Sequence, residues 1–355
     1  MLPLTQRRLL SQRLIGDGCK RISDVVSWLG AVQAQDYTLA KWALGMRAPG
    51  AIDEDVERAF ADGTILRTHV LRPTWHFVSP ADIRWLLALT APRVHQRNAL
   101  IYRKVEIDHS VRRRCNVALA KALRDQAHLQ RDELRTVLQR AGVRTDGEAR
   151  MSYLLMQAEL EGLVCSGPRR GKQFTYALLD ERAPSAKTMD RRDALVELTR
   201  RFFSSHGPAT PHDFAKWSGL TVTEARQGLE SAGRRLASET IEGQRYWFDP
   251  RAAARRPVRA PTAHLLSIYD EYISGYKGRS AIVDAAQAVR LRAMGAALTA
   301  VVLVDGRVAG TWRRRVENKT VVVSVDLFRR ITRAQQAAIG SAITKFAAFY
   351  QRDVS

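Results

Sequence analysis

The sequence predicts an α+β protein of three tandem winged-helix modules, each a helix-turn-helix plus a β-hairpin, followed by a mainly β C-terminal domain. Three observations predict it. One pattern, two or three short helices and then a hairpin, recurs three times; capping signatures and glycines punctuate the helices; and beyond Pro261 the periodicity changes to alternating strands. The chain has 355 residues, more than a single core of about 250–300 residues supports, so several modules are expected. An apolar fraction of 45% with 26% charged residues is that of a folded chain and excludes an intrinsically disordered one.

The first module, residues 1–97, carries its pattern over about 4–78 and closes on a hairpin that pairs 66–70 with 74–78. The second, 98–186, places Leu134, Val137, Leu138 and Ala141 at helical spacing and stops a later helix at Gly162. Its strands, 163–166 and 173–178, flank Gly167-Pro168-Arg169-Arg170-Gly171-Lys172, a turn too polar and too rich in glycine to be buried. In the third, 187–257, Thr210 caps a helix opened by Pro211 and stopped at Gly219, and Thr221 with Glu224 forms a capping box for the next. Ala225, Leu229, Ala232 and Leu236 then make one stripe, and a short hairpin turns at Glu242-Gly243. The domain 258–355 follows a joint rich in Pro and Arg at 251–261. It contains strands at 265–269, 299–304, 307–312 and 320–326, with Asp305-Gly306 as a type I′ turn. A closing helix capped by Thr332 and Gln335 faces a core with Ile339, Ile343, Phe346 and Tyr350.

Fifty-seven Lys and Arg against 36 Asp and Glu give a formal net charge of +21. That balance attracts polyanions and makes their binding fall steeply with salt; an arginine-rich codon usage is the other source of such a composition. Cys19, Cys115 and Cys165 lie far apart without C-x-x-C spacing, which argues against a zinc site and a disulfide framework and for a reducing compartment. Residues 1–13 mix Arg7, Arg8 and Arg13 with leucines but lack a signal-peptide h-region, and no apolar run reaches about 18 residues. The expectation is a cytoplasmic, nucleoid-associated protein that is not bound to a membrane. With no glycine-rich phosphate loop, metal-ligand spacing or Ser/His/Asp signature, neither metal nor cofactor is expected.

Cations cluster at two predicted tips. Arg169, Arg170 and Lys172 crowd the second module's turn, and Arg313-Arg314-Arg315 leads through Val316-Glu317-Asn318 to Lys319 in what reads as an exposed hairpin tip. Each suits phosphate contact or insertion into a groove, and each is also readable as a solvated loop. Arg67, His69, Arg72 and His76 in the first hairpin are open to two readings, contact with nucleic acid or structural pairing, the arginines with carboxylates such as Asp270. Asp270, Tyr272 and Arg279 read as an interdomain hydrogen-bonding cluster.

The feature that points to chemistry is the glutamine pair in Ala31-Val32-Gln33-Ala34-Gln35-Asp36-Tyr37. A carboxamide carries a donor and an acceptor and does not titrate, so two together hold a water or face a developing positive charge without competing for protons. Residues two apart on an α-helix do not share a face, so joint action requires the backbone at Ala34 to leave regular helix. Gly30, Asp36 and Tyr37 make an irregular helix end there credible. By spacing alone, two such glutamines are more commonly surface or capping groups.

Gln33-Ala34-Gln35 resembles the Gln-aliphatic-Gln motif in the AlkZ branch of the AlkZ/YcaQ-like winged-helix DNA glycosylase family. Arg67-Thr68-His69 and Arg72-Pro73-Thr74-Trp75-His76 resemble that family's Arg-Thr-His, Arg-x-Thr-x-His segment. Asp270-Glu271-Tyr272, Gly275-Tyr276 and Arg279 resemble its later block, and 305–312 its C-terminal strand motif. The matches span nearly the whole chain in the family's order. The sister branch carries Asp at the second motif position, where this chain has Gln35.

The resemblance implies three winged helices around a C-terminal β-barrel-like domain, and a basic channel for duplex DNA. It also implies a monofunctional glycosylase that hydrolyses the N-glycosidic bond of N7-alkylated purines and unhooks interstrand crosslinks made by bifunctional natural products, as self-resistance or repair. Gln33 and Gln35 are then the catalytic pair, with Asp36 as an alternative, stronger base. The DNA-binding set is Arg67, His69, Arg72, His76, Arg169, Arg170, Lys172, Arg313, Arg314, Arg315 and Lys319. The partner is double-stranded DNA with alkylated or crosslinked purines, bound by a monomer with no obligate protein partner. A non-enzymatic winged-helix transcriptional regulator is the competing reading, because fold does not fix function.

Overall fold

A computed structural model describes residues 2–253, 261–293 and 300–354. Residue 299, the expected start of a strand, and most of the joint at 251–261 lie outside the described residues. The chain forms two compact units: Met1–Glu57 with Val196–Trp217 and Thr221–Ser355, and Arg58–Leu195 with Ser218–Leu220.

The first unit is organised around a five-stranded sheet in the order Asp353–Val354, Thr320–Leu327, Arg307–Val316, Val301–Val304, Ala263–Leu266. Its pairings are antiparallel except for the parallel edge pair of Thr320–Leu327 with Asp353–Val354. The sheet curls, with a register shift between Val302 and Leu303, and its two edge strands do not meet, so the expected barrel-like domain is a half-barrel. The turn at Asp305 (φ +51°) and Gly306 (φ +78°) is left-handed at both positions, as a type I′ turn requires.

Two strand boundaries differ from the sequence reading. The strand expected over 265–269 stops at Leu266, because Tyr269 turns to φ +64° and the Asp270 side chain caps the short helix Glu271–Ser274. The strand expected to end at Trp312 continues to Val316, because Val321 to Ser324 supply ladder partners for Arg313 to Val316.

Helix Arg333–Phe349, with the predicted Thr332/Gln335 capping box, packs against strand Ala263–Leu266. Phe346 sits edge-on to both Trp42 and Trp312, each at 5.0 Å between ring centroids. The Trp42 indole donates to Leu265 O at 2.7 Å and the Trp312 indole to Leu266 O at 2.8 Å, so each large ring is buried without an orphan donor. Trp42 belongs to helix Tyr37–Gly45, which the sheet and closing helix thereby hold.

The same unit contains helices Leu4–Ser11, Ile22–Leu29 and Val222–Ala232, helix Pro211–Ser218 as far as Trp217, and hairpin Ala237–Ile241/Gln244–Phe248. The Thr221/Glu224 box is reciprocal, Thr221 Oγ1 accepting from Glu224 N at 3.1 Å and Glu224 Oε2 from Thr221 N at 2.8 Å. Ala225, Leu229, Ala232 and Leu236 are buried as their stripe predicts.

In the second unit, hairpin Leu66–His69/Trp75–Val78 precedes the long helix Ile83–Lys104. Helices His109–Ala122, Arg131–Arg140 and Glu148–Leu160 then lead to strands Val164–Ser166 and Thr175–Leu178, with Leu129–Gln130 as an unforeseen third strand. Its core gathers Val111, Leu119, Leu134, Leu138, Leu154 and Val164. Ala141, expected on the apolar stripe, is exposed beyond the helix end. Cys115 and Cys165 are buried, which pushes both thiols up to about 12. Among the described residues, no helix is long and apolar enough to cross a membrane.

Candidate active site

The backbone meets the condition that the glutamine pair imposes. Helix Ile22–Leu29 ends at Gly30, whose φ of +82° suits glycine, and the next helix begins only at Tyr37. Between them Val32–Gln33 is extended. Val32 and Ala34 are buried at 2% and 0% exposure, while Gln33 is half-buried and Gln35 exposed, the alternation of an extended segment rather than of a helix. Gln33 and Gln35 therefore sit on one short linker between buried Val32 and Ala34 and the next helix. Asp36 Oδ1 accepts the Leu39 amide at 2.9 Å as the N-cap of helix Tyr37–Gly45, a structural use of the carboxylate considered as a base.

The linker is anchored from far along the chain. Gln33 N donates to Glu271 Oε1 at 3.0 Å. Glu271 is 1% exposed, and its Oε2 accepts the Trp217 indole N–H at 2.8 Å and lies 3.3 Å from His206 Nε2. His206 stacks on Phe202 with centroids 4.7 Å apart, and its Nδ1 lies 2.8 Å from Ser205 Oγ. Trp217 also lies beneath Gly30, where an added Cβ would sit 3.6 Å from the indole. One aromatic group thus touches the point where the helix stops and the carboxylate that holds the linker.

Beside this lies a second buried network. Arg47 is fully buried, and all five of its N–H donors are used: Nε to Gln12 O (3.0 Å), Nη1 to Ala43 O and Asp270 Oδ2 (both 2.9 Å), Nη2 to Gln12 Oε1 (2.9 Å) and Asp270 Oδ1 (2.8 Å). Burial alone would lower the Arg47 pKa; Asp270 first, with Glu271 and Tyr276, offsets this and raises it. Gln12 Nε2 donates to the Tyr276 hydroxyl at 3.1 Å, which donates to His206 O at 2.7 Å. The Tyr272 hydroxyl donates to Gly306 O at 2.9 Å, and burial pushes both phenols up. Asp270, expected to pair with Arg67 or Arg72, is instead taken by Arg47. Arg279 lies outside this network, with its pKa lowered by burial.

The basic residues singled out in the sequence fall into different environments. Arg67 is buried between Trp75 (4.4 Å) and Phe174 (4.5 Å). The buried His69 pairs through Nδ1 with Glu159, its ring 4.3 Å from that of Trp75. The fully buried His76 donates from Nδ1 to Thr74 O at 2.9 Å and accepts at Nε2 from Arg72 Nη2 at 3.3 Å. Arg169 lies over Phe174 at 5.4 Å, and Arg170 pairs with Glu133 at 2.8 Å, holding that carboxyl below its usual range. Lys172 is exposed on the turn, whereas Gly167, expected on an unburied loop, is buried against Thr175 and His128.

Arg313, Arg314 and Arg315 lie in the strand, not on the tip, opposite Ser324, Val323 and Val322. Arg313 and Arg315 share the exposed face, Arg315 bonded to Glu317 at 2.9 Å, and Arg314 on the other face lies 6.0 Å from the Phe346 ring. The tip itself is Glu317-Asn318-Lys319, all exposed. Gln33 and Gln35 thus lie on one non-helical linker, and one strand face brings Arg313 and Arg315 together. Glu271, Trp217 and His206 had no assigned role in the sequence reading. Glu271 stood in the Asp-Glu-Tyr block as a signal, and His206 had none.

A model of the family described as DNA glycosylase AlkZ-like matches residues 26–349. The chain is 27% identical over 311 residues to an interstrand DNA cross-link repair glycosylase of Streptomyces sahachiroi, covering 82% of this chain and 81% of that protein. The solved structure of the Streptomyces sahachiroi DNA glycosylase AlkZ has a TM-score of 0.78 to this one at 23% identity, over 99% of this chain and 98% of that one, and so shares the mixed α+β fold. The family match runs through the linker of Gln33 and Gln35 and through the block that anchors it, and the chain belongs to the AlkZ-like DNA glycosylase family.

Proposed function

We propose that this chain is a monofunctional DNA glycosylase that hydrolyses the N-glycosidic bond of N7-alkylated purines in duplex DNA and unhooks interstrand crosslinks made by a bifunctional alkylating natural product. Gln33 and Gln35 form its hydrolytic centre. The observation that carries this reading is the non-helical linker on which Gln33 is half-buried and Gln35 exposed, pinned at the Gln33 amide by Glu271. The name of the Streptomyces sahachiroi relative supports repair of crosslinks over transcriptional regulation.

The chemistry suits neutral amides. An N7-alkylguanine is already cationic, so when the C1′–N9 bond breaks the base leaves neutral with the bonding electron pair, and no general acid is needed. The positive charge passes to an oxocarbenium-like sugar. The Gln33 and Gln35 carbonyl oxygens face that charge and orient a water, whose oxygen bonds to C1′ and whose proton is lost to solvent. In this reading the helix pairs and hairpins act as winged helices, a monomer acts on cytoplasmic DNA, and exposed Lys172, Arg313 and Lys319 contact phosphate.

Incubating a duplex that contains N7-methylguanine and then treating it with alkali tests the proposal. Base release leaves an abasic site that breaks only in alkali, since the mechanism uses no lysine Schiff base. Strand cleavage without alkali, or full activity in Gln33→Ala/Gln35→Ala, overturns it.

A further inference from the structure

We infer that Glu271 is a positioning residue for the glutamine pair, acting through the Gln33 peptide rather than on DNA. The inference rests on the reading of Gln33 and Gln35 as the reactive centre. In a continuing helix the Gln33 amide would bond to the carbonyl four residues back; here the helix has stopped at Gly30, and the amide takes a side-chain acceptor 238 residues away. This bond begins at the backbone of the half-buried Gln33, so it fixes the origin of that side chain.

Glu271 is itself held rigidly. It follows Asp270, whose carboxylate is clamped by both Nη atoms of Arg47 and accepts the Tyr272 amide at 2.9 Å. Its second oxygen is fixed by Trp217, and Gly275 packs so closely that an added Cβ would lie 2.6 Å from the Glu271 backbone O and 2.9 Å from His206 Cδ2. Trp217 ties the arrangement to Gly30. A buried carboxylate held by N–H donors on both oxygens has little freedom to move, and whatever it anchors inherits that precision. Water positioned by two neutral amides depends on such placement, because displacement by about 1 Å costs on the order of 100-fold in rate.

The test compares Glu271→Gln with Trp217→Phe in the full chain. A carboxamide has one acceptor oxygen where the carboxylate has two, so Glu271→Gln sets an N–H against the Gln33 or the Trp217 N–H and tilts the group that serves both, whereas Trp217→Phe leaves the carboxylate on Gln33. Three measurements are made: single-turnover release of N7-methylguanine, affinity for the same duplex, and hydrogen exchange of the peptide covering 31–36. The expected result for Glu271→Gln is release slowed about 10- to 100-fold, unchanged duplex affinity, and faster exchange at 31–36 but not in helix Tyr37–Gly45. Trp217→Phe is expected to lower the melting temperature more than the rate.

Placed on a Gln33→Ala background, Glu271→Gln is expected to slow release no further, which a general loss of fold would not reproduce. Unchanged release by Glu271→Gln, exchange raised throughout the chain, or the same slowing on both backgrounds overturns the inference. Should Glu271→Gln not fold, Glu271→Asp, which withdraws the carboxylate by one methylene, takes its place in the same three measurements, with the same results expected and the same results overturning the inference. Full activity in Gln33→Ala/Gln35→Ala is a different failure, that of the hydrolytic centre itself, and the exchange measurement separates the two.

Discussion

Removing the guanidinium of Arg47 is the sharpest test of how the anchoring block is held. Five acceptors, Gln12 O, Gln12 Oε1, Ala43 O and both Asp270 oxygens, converge on five N–H donors with no solvent access. Arg47→Lys offers three donors, so at least two buried acceptors lose their partners, at about 1–3 kcal/mol each. Arg47→Met leaves the Asp270 carboxylate buried and unpaired, which costs about 3–5 kcal/mol. For a unit of this size about 4 kcal/mol corresponds to a fall of roughly 8–16 °C in melting temperature.

Calorimetry measures this, since a chain with two compact units need not unfold in one step. Adding Asp270→Leu to Arg47→Met removes both charges together, so the double variant should be more stable than Arg47→Met alone. A change below about 2 °C for Arg47→Met, or a double variant that melts at the sum of the single losses, shows that Arg47 does not hold the block through this ion pair.

His264 donates from Nε2 to Leu14 O at 2.8 Å, its Nδ1 has no partner among the described residues, and burial lowers its pKa from 6.5 to about 4. A base with a depressed folded pKa is neutral in both states above the unfolded value, and below it the unfolded chain takes the proton first. Stability should therefore fall as pH drops from 6.5 towards 4, by up to about 3 kcal/mol; urea midpoints across that window for wild type and His264→Gln check it, and equal slopes contradict it. On the second unit's turn, Lys172→Ala should weaken duplex binding and reduce its salt slope by about one. Arg170→Ala should do less because Arg170 is committed to Glu133, and affinities at several salt concentrations decide between them.

What the sequence disclosed follows the range of the interactions. Thr221/Glu224, Thr332/Gln335 and Asp305-Gly306 act within a few residues, so their capping boxes and turn were readable directly. The break around Gln33 was readable as a requirement, from the geometry of residues two apart. Its cause was not, because Glu271 lies 238 residues away and no periodicity links it to Gln33. Arg313 to Arg315 look like a solvated tip by composition, yet the valines from Val321 to Val323 extend the ladder past them. Arg67, His69 and His76 were recognisable as a motif, but burial of polar groups among Trp75, Phe174 and Glu159 depends on side chains brought in from elsewhere in the fold.

Hydrolysis by neutral carboxamides on a broken helix end stands or falls on one rate. The most direct measurement is the single-turnover rate of N7-methylguanine release, at saturating protein, for wild type and for Gln33→Ala/Gln35→Ala. The expected outcome is release by wild type, and a double variant that binds the duplex equally well yet releases base at least about 100-fold more slowly. Equal rates for the two proteins contradict it.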